Sequence, residues 1–288
     1  MKLFGRILLG LGILIVGFIV YNMQSGFRYS DKQTLAYFKK RNIPVKIRTT
    51  PYLDNQLHWV ETKRASLKDD APVVVFVHGA PGSGSDFYGY LADSALLDRA
   101  MVVAVDRPGY GHSMYGKAMT SIADQAKAIK TIVDQYPERK IVLVGHSYGG
   151  PIAAKMAMDY PDQIQSVIML APVNDPEHEK IFWFSYIGIW KATRWMLSGA
   201  WRTSGSEKFS HAAELAKIQP GWQSLSKPIT HLHGMKDDLA PPVNIDFSKK
   251  NIPSNMLDLH VMPKAGHLIP FFNKDETRQV IFHAIGKP

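Results

Sequence analysis

The sequence predicts an α/β protein whose core is a doubly wound, mostly parallel β-sheet. Short aliphatic and β-branched runs recur along the chain, and near-continuous apolar runs of this kind are typical of strands buried on both faces. Helical patterns such as 122–136 and 151–160 separate several of these runs, which indicates strand–helix–strand units. The predicted core strands cover residues 73–77, 101–105, 141–144, 167–170, 229–232 and 257–261.

Further segments surround these core strands. Residues 44–47 and 57–62 alternate as an edge hairpin does. No strand pattern occurs between residues 172 and 222, and this stretch is rich in bulky aromatic residues, so we expect a helical cap or lid over one end of the sheet. The predicted organisation is an N-terminal segment 1–26, a linker 27–43, a core formed by 44–171 and 223–288, and the cap 172–222.

Composition restricts the possible classes of function. The 288 residues are 45% hydrophobic and 20% charged, which is ordinary for a globular protein. The net charge is +9, but the densest basic run, 39–41, is too short to indicate nucleic acid, so a membrane surface or simple solubility is the preferred reading. The absence of cysteine excludes disulfides, thiolate metal ligands and a cysteine nucleophile.

The N-terminal segment is predicted to be a single-pass membrane helix. Residues 7–21 read ILLGLGILIVGFIVY without a charge, and the apolar stretch extends to residue 3 with one arginine. A helix needs roughly 20 residues to cross the hydrocarbon core, with ~17 as the lower limit. A cleaved secretory signal is the alternative, although residues 22–26 lack a good small-x-small cleavage pattern.

Charges on the two sides of this segment give conflicting predictions of its orientation. Lys2 and Arg6 favour a cytoplasmic N-terminus, whereas Arg28, Lys32 and the basic run 39–41 favour a cytoplasmic folded domain. The signal-like order, a basic start followed by an apolar run, favours export. We therefore expect a membrane-anchored protein whose folded domain is extracytoplasmic.

The motif Gly145-His146-Ser147-Tyr148-Gly149 is the strongest sign of chemistry in the sequence. A lone G-x-S-x-G is a weak signal, but here a buried strand precedes it and a helix follows it. In that context the serine stands on a tight turn with its oxygen clear of the sheet, and the glycines let strand and helix pack closely. Ser147 is therefore predicted to be a nucleophile.

A serine hydroxyl needs a base to remove its proton, and His267 is the predicted base. It lies in the loop Pro263-Lys264-Ala265-Gly266-His267-Leu268 after the last predicted strand, and ligand sites in open α/β sheets gather at the carboxyl ends of strands. His146 is adjacent to the serine but points elsewhere from the same turn. His231 and His233 alternate on a strand without a third ligand, so we interpret them as structural and predict no metal or cofactor.

A carboxylate is needed to hold the tautomer of the base. Asp237 follows a predicted strand, Asp238 is adjacent to it, and Asp175 follows the preceding core strand, so all three are candidates. The chain order Ser147, Asp237, His267 is the order expected for this architecture.

Two backbone N–H groups are predicted to bind the oxyanion. One belongs to Tyr148, directly after the nucleophile. The other is expected from the loop His78-Gly79-Ala80-Pro81-Gly82, which follows the first core strand. Pro81 cannot donate a hydrogen bond, so Ala80 is the candidate.

From about Pro44 to its C-terminus the chain resembles the α/β-hydrolase superfamily. Four landmarks match in order: the loop at 78–82, the motif DRPGYGHS at 106–113, the turn at Ser147, and the two loops that carry Gly234-x-x-Asp237 and Gly266-His267. In that superfamily the acid stands three residues after the glycine, which implies Asp237 rather than Asp238. The serine nucleophile departs from haloalkane dehalogenases and epoxide hydrolases, where the resemblance would require aspartate.

The motifs and the resemblance together imply a cofactor-free serine hydrolase that cleaves an ester through an acyl-enzyme. The aromatic cap and the predicted anchor suggest a hydrophobic or lipid-derived substrate and no nucleic acid. The first loop is close to the His-Gly-Gly-Pro-Gly of proline iminopeptidases but differs at Ala80. An iminopeptidase-like amide hydrolase, a serine-dependent acyltransferase and a non-catalytic binding protein of the same fold stay open as alternatives. The oligomeric state is not indicated.

Overall fold

The computed structural model describes residues 2–24 and 27–286, with an eight-stranded β-sheet at its centre. The strands are β1 (Val45–Tyr52), β2 (Asn55–Thr62), β3 (Val73–Val77), β4 (Met101–Val105), β5 (Ile141–His146), β6 (Ile164–Leu170), β7 (Ile229–Gly234) and β8 (Leu257–Met262). Their order across the sheet is β1-β2-β4-β3-β5-β6-β7-β8. Strand β2 runs antiparallel to both of its neighbours, and β3 to β8 are parallel. The predicted mostly parallel α/β sheet is confirmed.

Strand β1 is longer than the sequence pattern predicted. It pairs with β2 over the full register from Val45 opposite Thr62 to Tyr52 opposite Asn55, and it includes Pro51. A proline removes a ladder donor, and an edge strand tolerates this because one side of its backbone has no partner strand. The sequence pattern, which relied on side-chain alternation, therefore ended the strand too early.

Helices connect the strands and cover the sheet on both faces. Strand β3 explains why two layers are needed, because all five of its side chains are buried. Val73, Val75 and Val77 belong to one apolar cluster, whereas Val74 and Phe76 belong to the other. Alternate residues of a strand point to opposite faces, so a core lies on each side of the sheet. The described helices are α1 (Lys2–Gln24), α2 (Asp31–Lys39), α3 (Tyr88–Leu91), α4 (Ser94–Leu97), α5 (Ile122–Val133), α6 (Gly149–Asp159), α7 (Lys191–Arg194), α8 (Gly199–Ile218), α9 (Val243–Asn251), α10 (Ile269–Phe272) and α11 (Lys274–Ile285).

Helix α1 has the length and composition of a membrane span. Its window Phe4–Tyr21 has a mean hydropathy of 2.2, and none of that window is buried inside the protein. A signal sequence meets the same criteria, so the helix by itself is weak evidence for an anchor. Residues 25–26, where the predicted N-terminal segment ends, lie outside the described residues.

Helix α2 lies within the predicted linker and packs on the folded core. A capping box at Ser30 and Gln33 starts the helix and satisfies two free backbone donors. At its other end Phe38 is fully buried in one of the apolar clusters. The Thr34 hydroxyl also lies 2.8 Å from that of Tyr88. Residues 31–39 are thus part of the packed structure in addition to connecting α1 to it.

Residues 172–222, called the helical segment below, connect β6 to β7 without forming a strand. Its longest element is α8, which begins at Gly199. The side chain of the preceding N-cap residue, Ser198, accepts a hydrogen bond from the N–H of Trp201. Short turns of 3₁₀-helix precede and follow it at Pro176–His178, Trp183–Gly188 and Gln219–Ser224. The segment follows β6, so it lies at the carboxyl end of the parallel strands.

Candidate active site

Ser147 lies on a strained turn between β5 and α6. Its φ is +53°, a conformation that residues other than glycine rarely adopt. The flanking glycines are required by close backbone approach. A Cβ on Gly145 would lie 2.3 Å from the oxygen of Gly149, and a Cβ on Gly149 would lie 2.2 Å from the oxygen of Val77. Ser147 therefore stands on the tight strand-to-helix turn that the sequence motif predicts.

Asp237 and His267 come together from two neighbouring loops. The Nδ1 of His267 lies 2.8 Å from Oδ2 of Asp237, and Asp237 is 2% exposed. The other carboxylate oxygen accepts hydrogen bonds from the N–H groups of Leu239 and Ala240 at 2.9 and 2.8 Å. This oxygen is thus used to fix the loop, and Oδ2 is oriented towards the imidazole.

Gly234 allows the two loops to pass close together. A Cβ at Gly234 would lie 2.3 Å from the oxygen of Ala265, two residues before the histidine. The other acid candidates are directed elsewhere. Asp238 is exposed, and Asp175 accepts hydrogen bonds from the N–H of Glu177 and the ring of His178. Of the three candidates, Asp237 is the one that the structure brings to His267.

His146 supports the loop that carries His267. Its Nε2 donates to the backbone oxygen of His267 at 3.0 Å, and the two rings lie 5.0 Å apart. Burial, together with the neighbouring His267 ring, lowers the pKa of His146 from 6.5 to about 3. His146 is therefore a neutral donor at physiological pH, and its Nε2 is directed to the backbone of His267.

Arg107 clamps the loop that contains Ala80. Its Nε donates to the oxygen of His78 and its Nη2 to the oxygen of Gly79, both at 2.9 Å. The N–H of Arg107 also donates to Nε2 of His78 at 3.0 Å. Burial, followed by the charge of Arg107, lowers the pKa of His78 to about 3, so this imidazole is a neutral acceptor. The carbonyls just before Ala80 are thus held in place, which orients the N–H of Ala80.

The same arginine ties the helical segment to the sheet. Nη1 of Arg107 lies 2.7 Å from Oε1 of Glu207 on α8, and both side chains are fully buried. Glu207 also accepts from the amide of Gln125 at 2.9 Å and from the hydroxyl of Tyr110 at 2.5 Å. The buried carboxylate of Glu207 needs several hydrogen-bonding partners, because a buried charge without them costs several kcal/mol. The carboxylate of Glu207 therefore joins α8 to the loop after β4.

Tyr148 contacts the helical segment through its ring. The ring stacks on His211 of α8 with centroids 4.1 Å apart, and the guanidinium of Arg107 lies 4.7 Å from the ring centroid. The backbone of Tyr148 is at the start of α6, where helix N–H groups point outward. One residue thus combines a backbone donor beside Ser147 with a side chain that packs against α8.

A cavity of about 450 Å³ opens at these loops. Ala80, Ser147 and His267 line it from the sheet side, whereas Ile187, Leu197 and Trp201 line it from the helical segment. Lys208 also lines it, and the ammonium of Lys208 is paired with the buried carboxylate of Glu179. The site is therefore a largely apolar chamber with a serine and a histidine on one wall.

No group of three or more His, Asp or Glu side chains within residues 2–24 and 27–286 is arranged to hold a metal ion. His231 and His233, which alternate on β7, hydrogen-bond to each other at 2.9 Å. The outer nitrogens contact the hydroxyl of Ser248 and the oxygen of Ala240. Every ring nitrogen of the two histidines thus has a hydrogen-bond partner within the protein, as expected for structural histidines.

Sequence reasoning missed the network around Arg107. The motif at 106–113 is recognisable in the sequence, but the sequence indicates no positioning role for Arg107 or Tyr110. The partner Glu207 lies a hundred residues away on α8, where a glutamate is ordinary for an exposed helical face. No sequence signal marks it as buried, because the helical spacing of α8 does not separate an apolar face from a polar one.

The family model described as alpha/beta hydrolase fold matches residues 72–196. The dihydrolipoyllysine-residue acetyltransferase component of the acetoin cleaving system of Cupriavidus necator is 36% identical over 115 residues, covering 40% of this chain and 30% of that protein. A 1-acylglycerol-3-phosphate O-acyltransferase of Arabidopsis thaliana is 31% identical over 132 residues (43% and 31%), and a proline iminopeptidase of Lactobacillus acidophilus is 30% identical over 123 residues (41% and 41%). The chain thus spans less than half the length of these relatives.

Two solved structures have the same fold. A bacterial membrane phospholipase A superposes with a TM-score of 0.62 at 18% identity, covering 99% of this chain and 98% of that one. The peroxisomal alpha-beta-hydrolase Lpx1 of Saccharomyces cerevisiae gives 0.65 at 16% identity, covering 84% and 88%. The family model and these likenesses show that the chain has the alpha/beta hydrolase fold, as the resemblance implied. Its relatives include hydrolases, acyltransferases and peptidases.

Proposed function

We propose that this protein is a serine hydrolase that cleaves a carboxylic ester by two-step acyl transfer. The observation that carries the proposal is that Ser147 and His267 line one cavity while His267 is hydrogen-bonded to the buried Asp237. The Nδ1–H of His267 donates to Asp237, which leaves Nε2 as the basic atom. His267 takes the proton of Ser147 as the serine attacks the carbonyl, and Asp237 stabilises the imidazolium that forms.

The oxyanion of the tetrahedral intermediate is bound by the backbone N–H groups of Tyr148 and Ala80. The first of these lies at the N-terminus of α6, where the helix dipole also favours negative charge. The second is oriented by the clamp of Arg107 on the preceding two carbonyls. His267 then gives its proton to the alcohol oxygen as the ester C–O bond breaks, so the alcohol leaves and the acyl-enzyme remains. Water attacks the acyl-enzyme as His267 takes a proton from it, and that proton passes to the oxygen of Ser147 as the carboxylic acid is released.

The substrate that fits the cavity is a hydrophobic, lipid-derived ester. The helical segment acts as a cap whose apolar side chains, including Ile187, Leu197 and Trp201, surround an acyl chain. A membrane phospholipase A among the structural neighbours and an acylglycerol-phosphate acyltransferase among the relatives support a lipid class of substrate.

Helix α1 is proposed to anchor the protein as a single transmembrane span, with the folded domain on the extracytoplasmic side. The exposed apolar window Phe4–Tyr21 supports the span. Because the chain has no cysteine, one cysteine placed at the exposed Lys68 or Ser226 reports topology. An impermeant maleimide should label such a variant on intact cells. Labelling only after lysis would show that the folded domain is on the cytoplasmic side.

Amide hydrolysis of the iminopeptidase kind is a second candidate because of the match to a proline iminopeptidase. A substrate amine would require a free carboxylate at the cavity. Glu179, which contacts the cavity-lining Lys208, is already paired with Lys208 and lies 3.3 Å from Nδ1 of His211. This neutralisation favours the ester over the aminoacyl amide.

Labelling with a fluorophosphonate tests the nucleophile. The wild-type protein should be labelled, and Ser147→Ala should lose both labelling and hydrolysis of p-nitrophenyl esters. Ser204→Ala is the matched control, because Ser204 lines the same cavity. Undiminished labelling of Ser147→Ala would refute the assignment, and an unlabelled wild-type protein would support a non-catalytic binding protein.

A substrate panel tests the class of reaction. Esters of rising acyl length should be cleaved with kcat/KM that increases with chain length until the cavity is filled. Proline and alanine p-nitroanilides should be poor substrates, and faster cleavage of these amides would favour the iminopeptidase candidate. With a lysophospholipid added as acceptor, the ratio of acylated lysophospholipid to free carboxylic acid compares acyl transfer with hydrolysis.

A further inference from the structure

The helical segment presents large aromatic side chains to solvent. Trp183, Trp190 and Trp195 are 78%, 65% and 72% exposed, and Tyr186 is 54% exposed. Tryptophan is highly buried on average, and contiguous exposed apolar surface usually marks an interaction site. These four side chains, called the aromatic face below, lie on one short stretch of chain.

The charged residues in the stretch of sequence that contains the aromatic face are all basic. Between Glu179 and Glu207 the sequence has Lys180, Lys191, Arg194 and Arg202 but no acidic residue. Tryptophan and tyrosine beside lysine and arginine is the composition of protein surfaces that lie at the headgroup level of a bilayer. The basic side chains attract anionic lipid. A cluster of aromatic side chains without them would not do so.

The chain that leaves α1 returns to the fold at the helical segment. The ring of Phe27 packs edge-on against that of Trp201 at 5.7 Å. The guanidinium of Arg28 lies 3.9 Å from the ring centroid of Tyr115 and donates to the oxygen of Gly111 at 2.5 Å. Three peptide links separate Gln24 from Phe27, which span about 11 Å at most. The end of α1 is therefore held close to α8.

We propose that the aromatic face docks on the surface of the bilayer that α1 spans. The tryptophans then lie at the headgroup level, and the basic residues contact anionic lipid. Ile187 and Gly188, between Tyr186 and Trp190 in sequence, line the cavity, so docking places the cavity beside the lipid. The inference rests on the proposed anchor, but it makes no use of catalysis.

Single-cysteine labelling of the full-length chain tests this docking. The environment-sensitive fluorophore NBD is attached to Trp190→Cys or Trp195→Cys, in vesicles of phosphatidylcholine with and without phosphatidylglycerol. Quenching by lipids that carry a doxyl spin label reports contact with the bilayer. Leu14→Cys, in α1, is the control for insertion, and Leu53→Cys is the matched control because Leu53 is an apolar side chain 73% exposed outside the helical segment. Circular dichroism checks that each variant is folded.

We expect blue-shifted, quenched fluorescence at positions 14, 190 and 195 and neither effect at 53, with stronger quenching at 190 and 195 when phosphatidylglycerol is present. Quenching at 14 alone would leave the anchor standing and overturn the docking. No quenching at any position would overturn both. A blue shift at 190 that doxyl lipids do not quench, and that grows with protein density, would assign the aromatic face to a second copy of the chain and also overturn the docking.

Discussion

The loops that carry Ser147, Asp237 and His267 are fixed by backbone contacts, whereas the helical segment is attached through side chains. Glycines at 145, 149 and 234 stand where a Cβ would lie 2.2–2.3 Å from a carbonyl oxygen. The helical segment is instead joined by the ion pair of Arg107 with Glu207 and by the stacking of Tyr148 on His211. A backbone contact of this kind permits one residue type, so it leaves a motif in the sequence, but many side-chain pairs could make the second kind of attachment.

The largest loss of activity should come from changing the hydrogen bond between Asp237 and His267. In Asp237→Asn the amide oxygen can still accept from the N–H groups of Leu239 and Ala240, so the loop is kept. The amide nitrogen would face Nδ1 of His267 and impose the wrong tautomer, and kcat should fall about 10⁴-fold. Steady-state kinetics on a p-nitrophenyl ester measures this.

Asp238→Asn is the control for that variant. Asp238 is exposed and adjacent, so its substitution should leave kcat within about twofold of wild type, as is usual for surface changes. If Asp238→Asn were the variant that lost activity, Asp237 would not be the partner of His267.

The attachment of the helical segment should be tested at Glu207. Glu207→Gln leaves the buried guanidinium of Arg107 without its counter-charge, and the free energy of unfolding should fall by about 3–5 kcal/mol. Chemical denaturation of the detergent-solubilised protein measures the loss. The double variant Arg107→Met with Glu207→Leu should recover much of that stability, because neither charge is then buried.

In this double variant, the effect of Arg107 on stability can be separated from its effect on the loop that contains Ala80. Arg107→Met also removes the clamp on the carbonyls of His78 and Gly79, so kcat should stay low even where stability returns. Wild-type kcat in the double variant would show that the clamp does not position the oxyanion loop.

The histidines that support the loops should make stability depend on pH. The pKa of His146 and of His78 is about 3 in the folded state, against 6.5 for an unperturbed imidazole. A group with a lowered folded pKa contributes stability that is present above pH 6.5 and lost as pH falls towards 3. Each should remove up to about 1.4 kcal/mol per pH unit in this window.

Denaturation at a series of pH values tests this effect, and His146→Gln is the informative variant. Glutamine keeps a donor for the oxygen of His267 but does not titrate. The variant should lose stability less steeply below pH 6.5 than wild type. An unchanged slope would mean that the pKa of His146 does not differ between the folded and unfolded states.

The smallest effect is expected at the start of α8. Ser198 accepts from the N–H of Trp201, and Ser198→Ala should lower the free energy of unfolding by about 1 kcal/mol. Ser198→Thr, which keeps a hydroxyl, should recover part of the loss in the same denaturation experiment. Equal losses in both variants would indicate that the packing of the buried Ser198 matters more than its hydrogen bond.

The fold and the meeting of Asp237 with His267 were largely predictable from the sequence. The core strands are short apolar runs, and the order of the loops after them is the order in which the chain reaches one edge of a parallel sheet. The length of β1 was underestimated, because hydrogen bonding to β2 rather than side-chain alternation extends it through Pro51. The catalytic roles of Ser147, Tyr148 and Ala80 stay predictions that the labelling and kinetic experiments test.

The sequence by itself determined the doubly wound sheet, the residues that stand on its loops, and an N-terminal helix with the composition of a membrane span. These follow from local patterns: apolar runs, glycines at close approaches, and a long uncharged stretch. Only the tertiary structure decided that Arg107 joins the loop of Ala80 to α8, that Tyr148 stacks on His211, and that Phe27 contacts Trp201. The physical reason is that these contacts join residues distant in sequence through side-chain atoms, and such contacts require no fixed spacing along the chain.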